Sequence, residues 1–165
     1  MKENVPRPEK KRPINKGAKS AVGQARRNLY QKTLKRVKEA NEAGFVLEAI
    51  ALLESVISDR LEARLAWLGL ECEGGGRFWP LAKMTETLIK QSNDPDDAQK
   101  AYANCAAWGK SRNKALHGLA KLAKVEEDHW DKKYSRAQRA ADEGLKVFRE
   151  LDKWVKKLNR RLPSK

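Results

Sequence analysis

Cysteine is scarce in this sequence. Cys72 and Cys105 stand far apart, and neither belongs to a Cys-x-x-Cys pair. That excludes a disulfide framework and a thiolate zinc site, and it points to reduced thiols in a cytoplasmic protein. Long apolar runs are also missing. None reaches the roughly 18–20 residues of a membrane span. The richest stretch, Gly44 to Leu53, is interrupted by Glu48 and followed by Glu54, which reads as a buried helix. The basic N-terminus has no apolar core of the kind a secretory signal needs. Histidine occurs twice, as His117 and His129. The acids beside the second, Glu126, Glu127 and Asp128, are not spaced to complete a ligand set with other histidines. No metal and no cofactor is assigned.

Acidic residues are in deficit: 22 Asp/Glu face 36 Lys/Arg, for a net charge of +14 over 165 residues. The excess sits at the two ends. Residues 1–40 hold 13 Lys/Arg against 3 Asp/Glu, residues 41–130 hold 11 against 14, and residues 131–165 hold 12 against 5. Basic ends around a near-neutral centre imply a polyanionic partner, with nucleic acid the first candidate. Residues 1–19 combine Pro6, Pro8 and Pro13 with Lys10, Lys11, Arg12, Lys16 and Lys19, and have almost nothing apolar to offset ordering entropy. They read as a flexible basic arm. Together with Arg26 and Arg27 they form the expected nucleic-acid-binding set, although an arm of this kind could equally thread into a larger assembly.

Residues 20–165 read as one all-α bundle of about five helices. The first covers about 20–42, with a weak stripe at Val22, Ala25, Leu29, Leu34 and Val37. The second covers about 43–70, where Val46, Ile50, Leu53, Ile57, Leu61, Leu65 and Leu68 recur at helical spacing. Phe45, Leu47, Leu52 and Val56 widen that face, so its first half is expected to be deeply buried. Gly74-Gly75-Gly76 ends this region. A short helix follows at 80–91. A fourth runs from 95 to about 124, with Asp94 as its N-cap and Pro95 at its first position. The fifth spans about 133–161 along Ala137, Ala141, Gly144, Phe148, Leu151, Val155, Leu158 and Leu162, until Pro163 stops it. The tryptophans Trp67, Trp79, Trp108, Trp130 and Trp154 are dispersed and read as core or edge aromatics.

The fourth helix departs from simple packing. At about 100° per residue, Ala98, Ala101, Cys105, Trp108, Leu116, Leu119 and Ala123 form one apolar stripe, and Arg112 falls inside it. A guanidinium there needs a partner. It can bridge to a carboxylate of the second helix, with Glu54 and Asp59 the candidates. It can extend past the bundle edge, or it can hold a phosphate. Asn113 and His117 lie one turn apart on the flank of the same stripe.

The segment Arg112-Asn113-Lys114-Ala115-Leu116-His117-Gly118 resembles the motif of the HEPN superfamily. Its active members carry Arg, a polar residue that is often Asn, three further residues and His on a late helix of a small bundle. The resemblance spans about 20–161, but its specific part is this one motif. It implies RNA cleavage without metal, with His117 moving protons, Arg112 stabilising the phosphoryl oxygens and Asn113 orienting one or the other. It also implies a homodimer in which two motifs share a cleft, since one histidine is half of an acid–base pair. Trp108, Leu116 and Leu119 are then interface candidates as well as core. Toxin or phage-defence proteins are the implied setting, with an antitoxin or other protein as partner. One departure matters: the subgroup silenced by nucleotidylation carries Tyr two positions after the motif histidine, and here that residue is Leu119. The competing reading is a non-catalytic RNA- or protein-binding bundle.

Overall fold

The computed structural model describes residues 21–72, 79–120 and 130–160. The arm with Lys10, Lys11, Arg12, Lys16 and Lys19, the Gly74-Gly75-Gly76 run, Ala123, His129, Leu162 and Pro163 lie outside the described residues. Five helices follow in order: α1 (Ala21–Glu42), α2 (Val46–Leu68), α3 (Leu81–Gln91), α4 (Asp96–Ala120) and α5 (Trp130–Arg160). No strand occurs among the described residues. The helices pack as a compact all-α bundle, and none is long and apolar enough to cross a membrane.

The core is built around α2. Ala49, Ile50, Leu53, Ile57, Leu61 and Leu65 are almost entirely out of solvent. Each large aliphatic contributes about 1.5–3 kcal/mol of burial. On α5, Ala137, Ala141, Gly144, Phe148, Leu151, Val155 and Leu158 are all buried, as their 3/4 spacing predicts. The tightest joint is between α4 and α5. Trp108 lies flat against Gly144, where a Cβ would come within 2.8 Å of the indole. The indole N–H donates to the Ala140 carbonyl at 2.8 Å. Glycine at 144 is therefore a packing requirement, and Trp108 belongs to the core of its own protomer instead of an interface.

Several expectations shift. The expected α1 stripe fails at Leu29, which is 59% exposed, while Tyr30 beside it is buried at 4%. Tyr30 wins because its ring meets Phe148 edge-on at 5.5 Å and its hydroxyl donates to Asp59. Phe45 and Leu47 are 60% and 54% exposed while Val46 between them is buried, so the buried face at the start of α2 is narrower than the sequence suggests. Gly44 takes φ +84°, and its carbonyl accepts the Tyr134 hydroxyl at 2.6 Å. That left-handed turn delays α2 to Val46, which points inward, and leaves Phe45 and Leu47 on the outer side. At the other end, Gly69 stops α2 before the glycine run is reached.

Two arginines on the apolar face of α2 are fully partnered. Arg60 donates to Asp152 at 2.7 Å and lies over the Tyr30 ring at 4.6 Å. Arg64 donates to Asp94 at 3.1 Å and to Asn159 at 2.9 Å. Asp94 also accepts the Tyr102 hydroxyl at 2.6 Å. Its carboxylate thus ties α2 to the start of α4. The Ala98 and Gln99 amides close the first turn of α4 on the Pro95 carbonyl.

Candidate functional site on α4

The C-terminal half of α4 carries the three motif residues, and it presents them in two directions. Asn113 and His117 are exposed, one turn apart on the outer flank. Arg112 turns inward, with its side chain 12% exposed, and pairs with Glu54 of α2. Of the three partners open to this guanidinium, the α2 carboxylate is the one it meets, and of the two candidate acids it is Glu54. Asp59 is instead engaged by Tyr30 and by Arg26 at 3.2 Å.

The stripe explains the geometry. Cys105, Trp108 and Ala115 direct α4 against the core at 0%, 2% and 5% exposure, and Arg112 shares their side of the helix. Its guanidinium carbon lies 5.7 Å from the Trp108 ring centre. One face of the guanidinium is therefore sheltered by the indole, and one edge is neutralised by Glu54. The buried Nε has no hydrogen-bond partner. Burial pushes the Cys105 thiol up to about 12, so that side chain stays protonated and inert beside the site. Leu116 and Leu119 are half-buried and pack against the core cluster, leaving part of each at the surface.

Five residues of helix separate Arg112 from His117, about 7.5 Å along the axis and about 140° around it. Asn113 and His117 therefore share one surface, while the Arg112 guanidinium lies at the α2–α4 joint. Within the expected nucleic-acid set, Arg27 is exposed on α1, whereas Arg26 is 15% exposed and held by Asp59. Among the described residues, no three His, Cys, Asp or Glu side chains cluster in a way that could hold a metal ion. Comparison with family models, with curated proteins and with solved structures gives no match.

Proposed function

We propose that this chain is a metal-independent endoribonuclease of HEPN type that acts as a toxin or phage-defence effector, with Arg112, Asn113 and His117 as its working residues. The observation that carries the reading is the motif itself on a late helix of an all-α bundle, with Asn113 and His117 open to solvent. In the proposed reaction a ribose 2′-oxygen attacks its neighbouring phosphorus and the bond to the 5′-oxygen breaks. His117 handles one of the two proton transfers. Arg112 places charge against the phosphoryl oxygens, where the planar fork of donors suits the geometry. For that, the guanidinium must exchange Glu54 for phosphate. The second proton carrier is assigned to the His117 of a second copy, which makes a two-fold dimer part of the proposal.

The test is end-group analysis of mixed RNA incubated with the protein in EDTA. Products should carry 2′,3′-cyclic phosphate and 5′-hydroxyl ends, and light scattering should give about twice the 18.8 kDa chain mass. A requirement for a divalent metal, or equal cleavage of DNA, would defeat the mechanism.

A second reading has its own support. The Arg112–Glu54 ion pair joins α2 to α4 and already gives the buried guanidinium a partner. On that reading the chain is a basic, non-catalytic RNA- or protein-binding bundle. Glu54→Gln separates the two. Loss of the pair should cost about 1–2 kcal/mol in either case. The nuclease reading further expects RNA affinity to rise, because the guanidinium no longer has a competing carboxylate. The structural reading expects a thermal shift and unchanged affinity.

A further inference from the structure

The outer face of α5 carries a feature that the α4 motif does not use. Helix α5 has 31 residues, and its buried positions fall into three adjoining heptad rows, Ala137, Gly144, Leu151, Leu158, then Ala141, Phe148, Val155, and Ala140, Trp154. On the side turned away from those rows, every seventh residue is a cation: Lys132, Arg139, Lys146, Lys153 and Arg160. All five are exposed. Seven residues are about 10.5 Å of helix, so the row extends about 42 Å and drifts only about 20° per step.

An outward helix face is ordinarily charged, so charge alone decides nothing. What distinguishes this row is its sign. The two neighbouring exposed rows are mixed. One runs Arg136, Glu143, Glu150, Lys157 and the other Ser135, Asp142, Arg149, Lys156. Their acids and bases partly offset one another, and Lys156 pairs with Asp152 at 2.5 Å. The central row holds no acid. Its one recorded ion pair is the loose Lys153–Glu150 contact at 3.6 Å, and Lys153 remains 67% exposed. At the start of the row a shallow depression is lined by Asp131, Lys132, Ser135, Arg136 and Arg139, four donors or cations against one acid.

We infer that this row is a docking track for the phosphodiester backbone of a nucleic acid lying along α5. A straight, evenly spaced, single-sign row matches a polymer that repeats one negative charge at fixed intervals. A lipid surface fits less well. An interfacial helix needs an apolar face towards the acyl chains, and the apolar face of α5 is spent on the bundle core. The inference does not depend on the chemistry of Arg112 or His117.

The test uses the full chain and two probes that the proposed ribose chemistry cannot cut, a 2′-O-methyl RNA duplex and a DNA duplex. Binding is read by fluorescence anisotropy across a salt series. The variant Lys132→Gln/Arg139→Gln/Lys146→Gln/Lys153→Gln/Arg160→Gln should bind on the order of 100-fold more weakly near 0.1 M salt, and its log–log salt slope should fall by about 3–4. The control removes five exposed lysines elsewhere, Lys32, Lys35, Lys38, Lys90 and Lys110, and should lose less than about 5-fold. Loss on both probes assigns the track to the shared backbone, and loss on the RNA analogue alone assigns it to A-form geometry. Equal losses in the row and control variants would overturn the inference, as would a row variant impaired only on anionic lipid vesicles. A second reading needs no mutation. Bound nucleic acid should protect Lys132, Lys146 and Lys153 of the wild-type protein from acetylation, and full reactivity at all three in the complex would contradict the track.

Discussion

Replacing His117 by alanine should reduce RNA cleavage by at least about 100-fold, the contribution typical of a positioned proton-transfer group. The thermal midpoint should barely move, because an exposed side chain outside the core shifts stability by within about 0.5 kcal/mol. His117 is exposed on the last turns of α4, and Ala115 rather than His117 fills the adjacent core position. RNA binding should largely survive, since the cations of α5 remain. Arg112→Ala is expected to behave differently. It removes a group proposed to hold phosphate in both ground and transition states, so affinity and cleavage fall together. It also strips Glu54 of its partner and uncovers one face of Trp108, so stability falls as well. Measuring cleavage, affinity and melting for both variants separates these effects. Undiminished cleavage by His117→Ala would remove the histidine from the mechanism.

The largest structural effect should come from Asp94→Ala. Asp94 and Arg64 are each 6% exposed at the side chain, and the same carboxylate accepts the Tyr102 hydroxyl. Its removal leaves a buried guanidinium with Asn159 as its remaining recorded partner. Breaking one side of a buried pair costs about 3–5 kcal/mol, which in a chain of this size is a fall in melting temperature of roughly 6–20 °C. The pH dependence follows from the same contacts. Burial alone would raise the Asp94 carboxyl, but the hydrogen bonds from Arg64 and Tyr102 and the charge of Arg64 outweigh it, and the group is held below its ordinary value. A depressed carboxyl contributes stability above the unfolded pKa of about 3.9 and loses it as pH falls through the folded value. The gap between wild type and Asp94→Ala should therefore be widest near neutral pH and shrink below about pH 4. A melting shift under about 2 °C at pH 7 would show that Arg64 finds another partner.

The fold was readable where one helix faces one core. The α5 stripe and the α2 stripe both appear in the sequence as 3/4 spacing, and both are buried. Reading failed where a residue's fate depends on a distant element. Leu29 and Tyr30 are adjacent, and only the position of Asp59 and Phe148 decides that the tyrosine goes inward. Phe45 and Leu47 look like core until the Gly44 turn, fixed by Tyr134 from α5, rotates them outward. Arg60 and Arg64 occupy core-facing positions of α2 because Asp152 and Asp94, on other parts of the chain, reach them. Asp94 reads in the sequence only as a local N-cap, and its carboxylate also accepts from Arg64, which is distant in the sequence, and from Tyr102.

The candidate site was legible in part for the same reason. Arg112 stood out as a cation in an apolar stripe, and Glu54 and Asp59 were the two candidate acids that the composition of α2 offered it. Choosing between them required knowing that Tyr30 and Arg26 occupy Asp59. The cation row of α5 is visible as a seven-residue period. It becomes a surface only once the core rows fix which way the helix faces.

The central claim is that the α4 motif cuts RNA through the ribose 2′-hydroxyl. It is tested most directly with a pool of DNA oligonucleotides that contain one ribonucleotide between randomised flanks, incubated with the protein in EDTA. The account predicts a single break on the 3′ side of that ribonucleotide, a 2′,3′-cyclic phosphate on it, and no break with His117→Ala. Breaks at deoxynucleotides, or breaks at the ribonucleotide that persist in His117→Ala, would contradict it.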